Sequence, residues 1–216
     1  MKREDIVAII KKERVIAIVR TKEQLKIPKL IKDLVDGGIK VIEITSNSPG
    51  VLEEIAIARK LYSGTDIIIG AGSVVNVKIA NAAIKAGAQF LVTPNTNTDV
   101  IAVAHNHSIP VVMGALTPSE ICLAAEHGAD IIKLFPAGDI GISYFRSIQA
   151  PLDSITFFGV GGINLLNIEE WIAAGISGVG LGSALTNEEK NKSGENHREN
   201  TIRKFINIIK KSQWNN

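Results

Sequence analysis

The chain has 216 residues, which fits one domain at roughly 150 residues each and is long enough to bury a sizeable core. Hydrophobic residues make up 45% and charged residues 21%, a balance that excludes wholesale disorder and collagen-like structure. With 24 basic against 22 acidic side chains the net charge is +2, too even for the dense basic face that nucleic-acid binding needs.

Mean hydropathy is +0.18, yet no apolar run reaches the ~18 residues of a spanning helix, so no membrane association is expected. Met1-Lys2-Arg3-Glu4-Asp5 opens an amphipathic segment rather than the apolar core of a signal peptide. The one cysteine, Cys122, cannot close an intrachain disulfide; flanked by Ile121 and Leu123, it reads as a buried thiol in a reducing cytosol.

In chain order, a helix over 4–12 precedes eight short runs rich in Val and Ile: 15–20, 41–45, 66–74, 90–94, 110–116, 131–136, 155–161 and 178–183. The runs are apolar on both faces, as strands of a buried parallel sheet are. Between them lie amphipathic segments such as 23–35, 51–61, 78–85, 118–126 and 168–173, which read as helices. Strand–helix alternation of this kind implies right-handed parallel crossovers. A weak repeat reinforces it: Gly37-Gly38, Gly87, Gly128 and Gly175 each close a helix just before a strand. The pattern predicts one (β/α)8 barrel spanning 1–216, with an N-terminal helix and loops shorter than in the usual barrel of ~250 residues. A doubly wound open sheet is the alternative, because counting strands does not establish closure. The polar stretch 187–200 reads as a mobile loop, and Ile202, Phe205, Ile206 and Ile209 make 201–211 a closing helix.

Barrel active sites sit at the C-terminal ends of the strands. Polar groups that apolar packing would not choose there are Arg20, Glu43 with Thr45, Ser73, Thr93 with Asn95, Lys133, Gly161-Gly162 and Gly182-Ser183. Lys133 stands inside Ile131-Ile132-Lys133-Leu134-Phe135-Pro136, where a charge is costly unless it is paired. A desolvated lysine becomes an amine nucleophile for carbonyl carbon; the alternative is a lysine that snorkels to water or pairs with a carboxylate. Glu43, inside Val41-Ile42-Glu43-Ile44-Thr45, would project into the same interior and either shuttle protons or form a buried pair with Lys133. Gly161-Gly162 and Gly182-Ser183 fall in loops seven and eight, where barrels often hold phosphate. Gly70-Ala71-Gly72 lacks the third glycine of a dinucleotide fingerprint. His105 and His107 show no third ligand, so no zinc site is expected, and His127 reads as a charge at a helix C-terminus. Trp171 and Trp214 read as core and tail packing.

Taken in order, Val15–Arg20 with Thr21, Glu43-Ile44-Thr45, Gly70-Ala71-Gly72-Ser73-Val74, Thr93-Pro94, Lys133-Leu134-Phe135-Pro136, Gly161-Gly162-Ile163 and Gly182-Ser183 resemble the KDPG and 4-hydroxy-2-oxoglutarate aldolase family. The resemblance runs from about Ile6 to Leu185. It implies a homotrimeric barrel acting as a class I aldolase, without metal or organic cofactor, on pyruvate-forming phosphorylated 2-keto-3-deoxy sugar acids. It makes Lys133 the Schiff-base lysine and Glu43 the proton carrier. Ser73 stands where the family usually has a threonine on the pyruvyl carboxylate, Arg20 adds positive charge for the acid substrate, and Gly161, Gly162, Gly182 and Ser183 match the phosphate loops. Thr45, Pro94, Phe135 and Val160 lie within matching motifs and are expected to contact substrate. In two places the chain departs from the gluconate-cleaving pattern: Asn47 replaces an arginine, and Val160 replaces a threonine before the paired glycines. Asn47-Ser48-Pro49, Thr93-Pro94-Asn95 and Val160-Gly161-Gly162 are similar instead to the phosphogalactonate branch. A phosphosugar isomerase or epimerase, which would need metal ligands or paired carboxylates, and a non-catalytic phospho-metabolite sensor are the competing readings.

Overall fold

A computed structural model describes residues 1–186 and 197–212. Its eight strands are β1 (Val15–Val19), β2 (Val41–Thr45), β3 (Ile68–Gly72), β4 (Leu91–Val92), β5 (Val111–Ala115), β6 (Ile131–Leu134), β7 (Phe157–Val160) and β8 (Gly178–Leu181). All neighbours pair in parallel, and β1 pairs β8 through Val15↔Val179, Ile16↔Gly180 and Ala17↔Leu181, so the barrel is closed. Closure decides against the open sheet.

Helices α1 (Arg3–Glu13), α2 (Ile27–Asp36), α3 (Val51–Leu61), α4 (Val77–Lys85), α5 (Thr98–Asn106), α6 (Pro118–Glu126), α7 (Ala137–Gln149), α8 (Ile168–Ala173), a single turn α9 (Ser183–Thr186) and α10 (His197–Lys211) complete the described residues. Gly38, Gly87, Gly128 and Gly175 all have positive φ at the helix-to-strand turns, which is why glycine recurs there. The expected helix over 23–35 begins as a 3-10 turn, Gln24–Lys26, because Pro28 fits the first turn of α2 and not a helix interior. The hydrophobic pattern leaves α7 unassigned; it contains Gly138 and a non-helical Gly141 at φ 79°. Within 187–200, His197–Asn200 form the first turn of α10, a correction to the loop reading; residues 187–196 and Trp214 lie outside the described residues.

Strand β4 is shorter than its apolar run. Beyond Val92, the Thr93 hydroxyl accepts from Gly114 N–H (2.8 Å) and donates to the Asn95 carbonyl (2.7 Å), turning the chain out of register just before Pro94, which has no N–H to give. Inward-facing residues alternate along each strand. Ile16, Val41, Ile68, Phe90, Val112, Ile131 and Phe158 fill the lower barrel, and Ile6 and Ile10 of α1 plug it from below. Two residues further along the same faces stand Ile18, Glu43, Gly70, Gly114, Lys133 and Val160. This upper layer is the floor of the site. The apolar layer beneath it holds both charged residues in a dry, rigid setting.

The histidines that the sequence reading set aside have structural partners. Asp130 accepts from Val111 N–H (2.9 Å), lies 3.0 Å from His105 Nε2 and pairs with Arg3 of α1 (3.5 Å). His127 caps α6, its Nδ1 2.8 Å from the Leu123 carbonyl, and Trp171 is buried against Phe145. Cys122 is half-buried rather than buried, because it lies on the flank of α6 beside the exposed Leu123. Among the described residues no helix is long and apolar enough to cross a membrane.

Candidate active site

A cavity of about 840 Å³ opens at the C-terminal ends of the strands. Ten of the expected site residues line it: Arg20, Ser73, Pro94, Lys133, Phe135, Val160, Gly161, Gly162, Gly182 and Ser183. Glu43 lies beside the cavity floor, 2% exposed, with Ile18 and Gly70 as its register partners on β1 and β3. Thr45 is fully buried; its hydroxyl meets Ser48 Oγ (3.1 Å) and donates to the Val19 carbonyl (3.4 Å), which ties β2 to β1. Asn47 is exposed and outside the lining.

Lys133 is 6% exposed, its Nζ 4.9 Å from the centroid of the Phe135 ring. Burial pushes its pKa below the ordinary lysine range; the Glu43 charge opposes this and the Arg20 charge adds to it. Burial pushes Glu43 the other way, above the usual carboxylate range, against the pull of Lys133 and Arg20. An amine that sheds its proton easily thus sits near a carboxyl that holds one readily. That complementary pair is what proton-coupled carbonyl chemistry requires.

At the rim, Arg20 Nη2 donates to Ser73 Oγ (3.5 Å), and Ser73 adopts φ 57°, a left-handed conformation unusual for serine. Ser46 Oγ donates to the Ser73 carbonyl (2.8 Å), fixing the turn that presents the Ser73 hydroxyl. Across the mouth, Gly161 and Gly162 have φ of 90° and 72°, and a side chain on Gly162 would come 2.9 Å from Gly138 Cα. Only glycine meets both demands, and the exposed backbone it leaves suits an oxyanion.

The sequence reading missed the contribution of α10. Arg198, Thr201, Lys204 and Phe205 line the cavity, with Arg198, Thr201 and Phe205 on one face at i, i+3 and i+7. Arg198 Nη1 is held by Asp33 of α2 (2.7 Å). Asn164, Leu165 and Leu166 of the β7–α8 connection also belong to the lining. No group of three or more His, Cys, Asp or Glu side chains that could hold a metal occurs among the described residues.

A family model described as KDPG and KHG aldolase matches residues 6–201. The chain belongs to the KDPG and KHG aldolase family. It is therefore a carbon–carbon lyase. The chain is 37% identical over 153 residues to the 2-dehydro-3-deoxy-6-phosphogalactonate aldolase of Escherichia coli K12, covering 70% of this chain and 74% of that one. It is 35% identical over 161 residues to the 2-dehydro-3-deoxy-phosphogluconate aldolase of Treponema pallidum, covering 74% and 76%. A KDPG aldolase of Legionella pneumophila, solved with pyruvate captured as a covalent carbinolamine, superposes with TM-score 0.80 at 26% identity over 94% of this chain and 97% of that one.

For this aldolase the dry lysine has a cost in stability that can be measured. Between the lowered pKa of folded Lys133 and the ordinary lysine value, the unfolded chain binds a proton the folded chain does not. Stability therefore rises with pH across that window, and the penalty is complete below it. Removing one partner of a buried pair costs about 3–5 kcal/mol when the other stays charged. Glu43, its pKa already raised by burial, escapes that cost by holding a proton once Lys133 is gone. Lys133→Met should melt above the parent near neutral pH, and the gap should narrow as pH climbs toward the lysine range. A variant melting below the parent at every pH would show that Lys133 stabilises the fold.

Proposed function

We propose that this aldolase cleaves a 2-dehydro-3-deoxy-6-phospho sugar acid, of galactonate or gluconate configuration, to pyruvate and D-glyceraldehyde 3-phosphate. The same site would take 4-hydroxy-2-oxoglutarate to pyruvate and glyoxylate. The observation that carries the reading is the buried Lys133 amine on the cavity floor with the buried Glu43 carboxyl nearby.

The unprotonated Lys133 amine attacks the C2 carbonyl, and loss of water from the carbinolamine leaves an iminium. Glu43, as carboxylate, takes the proton of the C4 hydroxyl while the C3–C4 bond breaks. The bonding pair moves into the iminium to form an enamine, and the aldehyde departs. Protonation of C3 by the Glu43 carboxyl regenerates the iminium, and water then releases pyruvate and the free amine. Ser73 and Arg20 receive the pyruvyl carboxylate at the β1–β3 rim. Gly161, Gly162, Gly182 and Ser183 take the phosphate across the mouth. Thr45 serves from outside the lining, by holding the strand that carries Glu43. The family resemblance further supports a homotrimer working in the cytoplasm, a compartment that suits the unpaired Cys122 thiol.

Both epimers share the pyruvyl head and the phosphate, so discrimination at C4 depends on groups near the middle of the substrate. Val160, in the cavity lining at the end of β7, has no hydroxyl to offer there. An apolar wall separates such isomers by only ~1–3 kcal/mol, whereas a matched hydrogen bond does so strongly. Coupled pyruvate detection with the two epimers should find the galactonate form processed at least as well as the gluconate form. Val160→Thr should shift kcat/KM toward gluconate. A parent preference for gluconate by orders of magnitude, untouched in Val160→Thr, would refute the branch assignment.

A further inference from the structure

Neighbouring strands of the barrel set a large inward side chain against a missing one. A side-chain carbon on Gly70 would come 2.5 Å from the Phe90 ring, and one on Gly180 would come 2.7 Å from Val160. At Gly72 the group that fills the space is chemical: the added carbon would lie 2.5 Å from Glu43 Oε1 and 2.7 Å from its Cδ. Carbon does not approach oxygen or carbon so closely, so one of the two groups would have to move. Gly72 is not among the glycines with positive φ, and it closes the regular strand β3, a conformation any residue adopts. Glycine is needed there for space, not for backbone freedom. The strand cannot readily retreat either, because the Gly72 carbonyl accepts from Ser46 N–H (2.8 Å) and Gly72 registers with Thr45 of β2. The carboxylate would have to leave instead.

We propose that Gly72 is a positioning residue, its absent side chain forming the seat that holds the Glu43 carboxylate within reach of the substrate bound at Lys133. The inference rests on the reading of Glu43 as proton carrier. Displacing a reacting group by about 1 Å can cost ~10²-fold, even when nothing that touches substrate has been removed.

Gly72→Ala tests this with two readouts that separate on the proposal. Borohydride should still trap pyruvate on Lys133, while exchange of the pyruvate methyl protons with deuterated water, and aldol cleavage, fall about 100-fold. Shortening the displaced side chain should relieve the clash, so Gly72→Ala with Glu43→Asp should exchange at least about tenfold faster than Gly72→Ala alone. In a Glu43→Gln background Gly72→Ala should cost nothing further in exchange, since residues acting through one group are not additive. Parent-rate exchange in Gly72→Ala, no recovery with Glu43→Asp, or a full additional loss in the Glu43→Gln background would each overturn the proposal. If Gly72→Ala does not fold, the Gly72→Ala/Glu43→Asp protein decides: a folded, exchanging protein supports the seat and an unfolded one refutes it. Parent-rate exchange in Glu43→Gln alone would remove the proton-carrier reading and this inference together. Slow Glu43→Gln beside an unaffected Gly72→Ala would remove this inference only.

Discussion

Borohydride added to the protein with pyruvate will raise its mass by one reduced pyruvyl adduct, and peptide mapping will place that adduct on Lys133. Among the described residues Lys133 is the buried lysine, and burial favours the uncharged amine that attacks carbonyl carbon. Lysines held by surface carboxylates are poor competitors. Lys32 beside Asp36, and Lys40 beside Asp66 and Glu13, have their pKa values raised by hydrogen bonds to those carboxylates, so their amines stay protonated. Lys204 lines the same cavity but stands in water on α10, far in character from a dry strand end. Lys133→Ala should lose the adduct and lower cleavage by at least roughly 10³-fold, since deleting the nucleophile of a covalent mechanism removes the whole route. Lys133→Arg should be no better, because a guanidinium keeps its proton at any working pH. An adduct on another lysine, or substantial cleavage by Lys133→Ala, would dismantle the assignment.

Lys133 and Glu43 could be read from the sequence because a charge inside an apolar strand has few physical excuses, and strand alternation puts each on the inward face with Ile131 and Val41. The eight strands were equally open to reading, since burial on both faces leaves an unbroken apolar run. What escaped was information carried by distance rather than pattern. Barrel closure rests on β1 meeting β8, which strand count does not convey. The early end of β4 depends on one hydroxyl, that of Thr93, replacing a ladder bond. The strand-end position of Thr45 makes it look like a contact for substrate, yet its hydroxyl is engaged with Val19 and Ser48. Helix α10 supplies Arg198 and Thr201 to a cavity formed mainly from strand ends spread along the chain from Ile18 to Gly180, and the packing of α10 on α2 and α9 brings them there. Gly72 stood out as part of a failed dinucleotide motif and of one segment that resembles the family, although its significance lies in what a side chain there would strike.

Glu43→Gln will separate proton transfer from imine formation. Glutamine keeps the length and planar shape of glutamate, so the fit against Gly72 is preserved while the exchangeable carboxyl proton is lost. Imine formation depends first on the Lys133 amine. That amine loses the stabilising Glu43 charge in the variant, which lowers its pKa further and leaves it no less nucleophilic near neutral pH. Trapping of pyruvate by borohydride should therefore persist. Cleavage and methyl-proton exchange both require a base that takes a proton and an acid that returns it, and a positioned group of this kind contributes roughly 10²–10⁴-fold. Both rates should fall together by that factor, because the same carboxyl serves C4 oxygen and C3 carbon. The pH profile offers an independent check. Burial raises the Glu43 pKa, so in the parent the base form is lost as pH falls through that raised value, and the exchange rate should fall with it. In Glu43→Gln this acid limb should disappear from the little exchange that remains. A limb that persists unchanged, with exchange near the parent rate, would make Glu43 a buried counter-charge for Lys133 and send the search for the proton carrier to water bound in the cavity.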